Sequence, residues 1–270
     1  MLQVLAYRPR FNDPKTLRLP FAAPGRSTGG MNQDHHPRPP VNQLETWVFD
    51  LDNTLYPASS SLFPQIDVRM RQFIADRLGL GLDEAFALQK RYYREFGTTL
   101  RGLMTVHGME PADFLAYVHD IDHSVLEAAP RLDAALAALP GRKLIFTNGS
   151  ERHAEKVLAQ LGLERHFAGI FDIVAARFIP KPQSECYDLM VRRFDFDPRS
   201  AAMVEDLQRN LAPAAALGMT TVWVRQDDHP DARVVMDDHD HMGHVHHITD
   251  DLSHWLEQVV ATPKAPPSVR

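Results

Sequence analysis

Asp50 and Asp52 stand one residue apart at the end of a short apolar run, Trp47-Val48-Phe49, and are followed by Asn53, Thr54 and Tyr56-Pro57. With no Lys or Arg for several positions on either side, two carboxylates this close repel each other unless a cation or a proton intervenes. Such a pair suits capture of a hard metal ion or nucleophilic and acid–base work. Taken alone, the same residues also describe a strand that turns into an acidic loop. The candidates for company lie far downstream: Thr147-Asn148-Gly149-Ser150, Lys181-Pro182 and Glu205-Asp206.

The elements around these residues decide which of them meet. Residues 46–50 read as a strand buried on both faces, whose abrupt end puts Asp50 at its carboxyl edge, the edge where open α/β sheets bind ligands. From residue 131 the chain alternates. Helices are expected at Leu132–Leu139, Arg152–Leu161, Ser184–Phe194 and Gln208–Leu217, and strands at Lys143–Phe146, Phe171–Val174, Ala201–Val204 and Thr220–Val224. Regular β-α alternation predicts a Rossmann-like parallel sheet flanked by helices, and right-handed crossovers bring every strand's carboxyl end to one edge. That edge collects Asp50, Thr147 and Glu205-Asp206, with Lys181 on a neighbouring loop. Each also has a plain structural reading: Thr147 as a helix cap, Lys181 as a solvated charge, Glu205-Asp206 as a capping pair.

Between the first strand and residue 131, Ile66, Met70, Phe73, Ile74, Leu78, Ala85, Leu88, Tyr92 and Phe96 recur at three and four residues, with Gly79, Gly81, Gly97 and Gly108 as punctuation. This predicts an inserted helical unit. The domain reading is a disordered leader over 1–42, a catalytic core over 43–60 and 129–262, a helical cap over 61–128, and a tail over 263–270. Met31 offers a second translation start. The chain is 44% hydrophobic and 24% charged, as globular proteins are, and its net charge of −6 gives no footprint for nucleic acid or an anionic membrane. The single cysteine, Cys186, excludes an internal disulfide and fits a reducing, cytoplasmic compartment. No apolar run approaches the roughly 20 residues of a membrane span.

Asp50-Leu51-Asp52-Asn53-Thr54, Thr147-Asn148-Gly149, Lys181-Pro182 and Glu205-Asp206 with Asn210 resemble, in order, the four motifs of the haloacid dehalogenase superfamily. The insertion resembles that superfamily's cap domain of the first type. More narrowly, Asp50 to Pro57, Thr147 to Ala154 and Phe96-Gly97-Thr98-Thr99-Leu100-Arg101-Gly102-Leu103 resemble the pyrimidine 5′-nucleotidase branch.

The resemblance implies a Mg²⁺-dependent phosphatase. Asp50 would be the nucleophile and, with Asp206 and the backbone carbonyl of Asp52, a metal ligand; Glu205 would orient a metal-bound water. Lys181 would hold Asp50 and the phosphate together, and Thr147 with the N–H groups after it, aided by Asn53, Asn148 and Gly149, would bind phosphate oxygens. Such neutralisation is needed, because unit like charges 4 Å apart cost about 4 kcal/mol at an effective dielectric of 20, doubled for a dianion. Asp52 would protonate the leaving group, its pKa raised by crowding among carboxylates. Dehalogenases of the superfamily lack an aspartate there, since a halide leaves without a proton.

In the cap, Thr98, Thr99 and Arg101 are expected to read a nucleotide's base or ribose, or else to form a polar interhelical turn. His119-Asp120 and Asp122-His123 read as a solvated helix end. Seven of the fourteen histidines fall within residues 229–254, where a transition-metal site is the sharp reading. Against it stand the absence of a nearby cysteine and the many interspersed Asp residues, and Val245–Ile248 reads as a final edge strand leading into a helix at Leu252–Val260. The expected activity is hydrolysis of nucleoside 5′-monophosphates, UMP or CMP. The rivals are a phosphatase of phosphoglycolate or a sugar phosphate, and a binding protein that keeps the fold without turnover. The oligomeric state is not legible.

Overall fold

Trp47 and Phe49 point to one side of the first strand and Val48 to the other, and all three are fully buried. A strand with no polar face needs cover on both sides. A computed structural model, which describes residues 38–226 and 242–263, supplies it. Strands β1 (Thr46–Phe49), β2 (Arg142–Phe146), β3 (Phe167–Phe171), β4 (Ala201–Glu205), β5 (Thr220–Val224) and β6 (His247–Thr249) form one sheet in the order β3-β2-β1-β4-β5-β6. Every neighbouring pair is parallel. Trp47, Phe49, Ile145, Val204 and Val222 pack against Leu136, Val157, Leu158 and Leu256 on one face. Val48, Leu144, Phe146 and Met203 pack against Tyr187, Met190 and Leu211 on the other.

Four of the five α-helices between β1 and β2 stand together: α1 (Leu62–Leu78), α2 (Leu82–Phe96), α3 (Thr99–His107) and α4 (Pro111–Val118). They bury Ile66, Phe73, Ile74, Tyr92, Leu103, Phe114 and Val118 in a cluster of their own, which forms the inserted helical cap. Gly79, Gly97 and Gly108 end α1, α2 and α3 with φ of 67°, 83° and 60°, the left-handed C-cap that glycine adopts without penalty. Beyond the cap, α5 (Pro130–Ala138), α6 (Glu151–Leu161), α7 (Ser184–Phe194), α8 (Gln208–Ala216) and α9 (Leu252–Ala261) complete the layers.

The third strand departs from expectation. It covers Phe167–Phe171 rather than Phe171–Val174, and Asp172–Ile179 turns instead of pairing. Residues 170–174 carry the stronger apolar signal, whereas β3 is an edge strand with only Phe171 fully buried, and its first half, Phe167-Ala168-Gly169, combines two small residues with no β-branched one. The last strand lies at His247–Thr249, starting two residues later than the expected Val245–Ile248 and ending one later. Residues 1–37, including Met31, lie outside the described residues, as do His229, His239 and His241. Among the described histidines of that region, His246 bonds Thr221, His244 bonds the Gln208 carbonyl and His247 packs on Trp255, so these do not converge on a metal site. No helix among the described residues is long and apolar enough to cross a membrane.

Candidate active site

Register sets the site. Phe49 is level with Ile145 on β2 and Val204 on β4, so Asp50, Phe146 and Glu205 emerge together at one edge. The chain turns sharply after Asp50, with Asn53 at φ 61°, a left-handed conformation that Asn tolerates better than most residues. Lys181, on the loop before α7, donates to Asp50 Oδ1 at 2.6 Å, Glu205 Oε1 at 3.0 Å and the Phe146 carbonyl at 2.9 Å. The Thr54 hydroxyl donates to Asp50 Oδ2 at 3.0 Å. Glu205 also accepts from the Leu207 N–H at 2.8 Å and from the Asn210 amide.

Oxygens of Asp50, Glu205 and Asp206 all lie within 4.8 Å of one another. Three carboxylates share this corner with one ammonium, Lys181, which bonds Asp50 and Glu205, so acidic groups are in excess. Burial, opposed by Lys181, pushes Asp50 up to about 7; burial and repulsion from Glu205 and Asp50 push Asp206 well above the usual range. Glu205 is held low against burial by Lys181. An all-oxygen donor set carrying that excess charge fits a hard divalent cation of the Mg²⁺ type and gives softer metals no thiolate or imidazole.

Asp52 behaves differently from expectation. Its Oδ1 accepts from the Tyr56 hydroxyl at 2.6 Å and lies 2.8 Å from His153 Nε2. Burial alone would raise its pKa, but the His153 charge and hydrogen bond, with that of Tyr56, bring it down to about 2. Crowding by carboxylates is therefore not what governs it. Any metal contact from Asp52 falls to its backbone.

Thr147 is buried, and its Oγ1 accepts from the Gly149 N–H at 2.9 Å, so that amide is engaged within the loop rather than open to a ligand. Asn148 is engaged too. Its side chain pairs reciprocally with the backbone of Lys181, at 2.9 and 3.3 Å, and so fixes the lysine's loop. Asn53, Asn148, Gly149 and Thr147 all line a cavity of about 360 Å³ with the three carboxylates and Lys181 at its floor.

The cap forms the opposite wall, with Phe63, Ile66, Met70, Phe114, Leu115 and Val118 as its apolar part. Thr98 and Thr99 border the cavity, although Thr98 caps α3 and the Thr99 hydroxyl bonds the Gln89 carbonyl at 3.3 Å. Arg101 does not border it. Its guanidinium reaches the Phe178 carbonyl at 3.2 Å, because position 101 lies on the side of α3 that faces the loop after β3. The cations that line the cap side are Lys90 of α2, paired with Asp67 at 2.8 Å, and Arg209 of α8, which bonds the Tyr93 hydroxyl and lies 4.7 Å over its ring.

His119 and His123 are not a solvated helix end. The His119 ring stacks on His153 at 4.5 Å, and His123 Nε2 lies 3.3 Å from His153 Nδ1. Sequence reasoning missed His153, Tyr56, Tyr93 and Arg209 as site residues. A lone histidine on the apolar face of a helix, beside Ala154, Val157 and Leu158, carries no signal until Asp52 is seen against it.

A family model described as haloacid dehalogenase-like hydrolase matches residues 44–218. Phosphate metabolism protein 8 of Saccharomyces cerevisiae is 26% identical over 234 residues, covering 80% of this chain and 65% of that protein. The chain thus spans less than two thirds of that relative's length. A HAD phosphatase from Thermococcus onnurineus matches with a TM-score of 0.55 at 14% identity, over 82% of this chain and 100% of that one. CbbY from Rhodobacter sphaeroides, solved in complex with phosphate, matches with a TM-score of 0.54 at 17% identity, over 78% and 95%. Both structures share the fold. The matched span runs from the residues before β1 to the end of α8 and holds every carboxylate of the site, and the chain belongs to the haloacid dehalogenase-like hydrolase family.

Proposed function

We propose that the protein is a Mg²⁺-dependent phosphatase of nucleoside 5′-monophosphates, with pyrimidine nucleotides as its substrates. The observation that carries this is the meeting of Asp50, Glu205 and Asp206, with Lys181 bonded to the first two, on the floor of a cavity with a largely apolar far wall. Asp50 and Asp206 would hold the ion, with Glu205 and the Asp52 carbonyl beside it. Bound there, Mg²⁺ supplies the positive charge that an anionic nucleophile needs near a phosphate dianion.

Asp52, ionised in the free site, takes up a proton from solvent as the phosphate dianion binds beside it. Asp50 attacks phosphorus through a carboxylate oxygen, the bond from phosphorus to the leaving oxygen breaks, and Asp52 gives that oxygen its proton. Asp52 then takes a proton from the water that attacks the aspartyl-phosphate, releasing phosphate and restoring Asp50. Lys181 keeps Asp50 aimed and offsets charge throughout. The apolar wall suits a flat base better than the carboxylate of phosphoglycolate or the hydroxyls of a sugar. The single, buried cysteine fits a cytoplasmic setting.

The test is phosphate release from UMP, CMP, AMP, phosphoglycolate and a sugar phosphate, with Mg²⁺ and with chelator. The highest kcat/KM should belong to UMP or CMP and vanish with chelator. A preference for phosphoglycolate or the sugar ester would replace the substrate, and no release from any would overturn the phosphatase reading.

A further inference from the structure

We propose that His153 is a positioning residue that holds Asp52 by one carboxylate oxygen so that the other faces the leaving group. The inference rests on the phosphatase reading and goes beyond it.

Both hydrogen bonds to the Asp52 side chain fall on one atom. Tyr56 donates to Oδ1 at 2.6 Å and His153 Nε2 lies 2.8 Å from it, while Oδ2 has no hydrogen bond among the described residues. The side chain is 18% exposed and borders the cavity, so that exposure belongs to the carboxylate's unbonded side. A Cβ at Gly149 would stand 3.7 Å from Oδ2, so the glycine leaves the approach to that oxygen open. An unrestrained aspartate samples a broad terminal torsion and presents either oxygen. Two partners on Oδ1 remove that freedom.

His153 is itself fixed. Its ring is wholly buried on α6, stacked on His119 at an interplanar angle of 13°. Its far nitrogen meets His123, whose Nδ1 is anchored on the Ile121 carbonyl at 3.0 Å. His119, Ile121 and His123 all belong to the segment that returns from the cap to the core. The orientation of Asp52 is therefore set by the chain that carries the cap. In the transfer step the proton leaves Oδ2 for the leaving oxygen as that oxygen parts from phosphorus and Asp50 bonds to it, so a swing of Oδ2 removes the acid without touching the nucleophile.

A merely structural histidine would affect all substrates alike, and the leaving group separates the two roles. p-Nitrophenolate departs without a proton, whereas the alkoxide of benzyl phosphate needs one. kcat/KM, which covers transfer to Asp50, is measured for both esters on the same preparation, so their ratio does not depend on the active fraction. In His153→Gln, benzyl phosphate should lose about 100-fold, the scale of a misplaced general acid, while p-nitrophenyl phosphate loses less than about 5-fold. His123→Phe, which removes the anchor at one remove from Asp52, should move the ratio the same way by a smaller factor. Equal losses for the two esters, or none, in His153→Gln would overturn the positioning role alone. A wild-type protein active on p-nitrophenyl phosphate only would lack a working acid, and one active on neither would overturn the phosphatase reading.

Discussion

Lys181 Nζ sits 2.6 Å from Asp50 Oδ1, joining the loop before α7 to the end of β1 across 131 residues of sequence. Its side chain is 1% exposed, and no second ammonium or guanidinium is paired with Asp50 or Glu205 among the described residues. Lys181→Met would leave the buried carboxylates uncompensated, and breaking a buried pair from one side costs about 3–5 kcal/mol. The variant should be inactive and lose stability on that scale in urea denaturation without Mg²⁺. Adding Mg²⁺ should restore part of the loss, since an ion held by the folded state at about 100 times its Kd contributes about 2.7 kcal/mol. A variant as stable as the wild type in chelator would contradict this account.

Position and spacing made the floor of the site legible. Asp50, Lys181, Glu205 and Asp206 stand at strand ends or the loops beside them, and parallel topology leaves such residues one edge to share. Gly79, Gly97 and Gly108 likewise marked the helix ends of the cap. What stayed hidden depends on side-chain direction across elements. Arg101 and Arg209 look alike as exposed helical arginines, and only the packing of α3 against the Phe178 loop, and of α8 beneath α2, decides which one meets the cavity. Asp52 was read from its neighbours in sequence, although its charge state is set by His153, 101 residues away.

That contrast between arginines is testable. Arg209→Ala removes a cation from the cavity wall and should raise KM for the best nucleotide about tenfold, the scale of one hydrogen bond to a charged group. Arg101→Ala frees the Phe178 carbonyl and should leave kcat/KM within about threefold of wild type, as surface changes do. The reverse ranking in steady-state kinetics would return Arg101 to the pocket.

Gly102 tests the packing of the cap. A Cβ there would stand 2.4 Å from Tyr92 Cγ and 2.5 Å from its Cβ, and Tyr92 is buried with its hydroxyl 2.8 Å from His107 Nε2. Replacing glycine by alanine inside a helix ordinarily gains about 1 kcal/mol. Overpacking of this kind costs about 1–3 kcal/mol, and here the obstructing atoms are the root of the ring rather than a movable tip. Gly102→Ala should therefore lower the unfolding midpoint, and a raised midpoint would mean that α2 and α3 separate easily.

His119 should make stability fall in mild acid. Burial, reinforced by the neighbouring charge of His153, lowers its pKa from about 6.5 to about 3. Between those values the unfolded chain binds a proton that the folded chain does not, so the contribution is complete above pH 6.5 and is lost as pH falls toward 3. One proton limits the slope to about 1.4 kcal/mol per pH unit. His119→Phe keeps an aromatic ring against His153 and removes the titrating group, at the cost of the 2.9 Å contact with Ser150. Urea denaturation at pH 7, 6 and 5 should show the variant less stable at pH 7 but losing less on acidification, so the two curves converge. Parallel curves would mean that His119 already takes up its proton in the folded state, and that the stack on His153 opens to admit it.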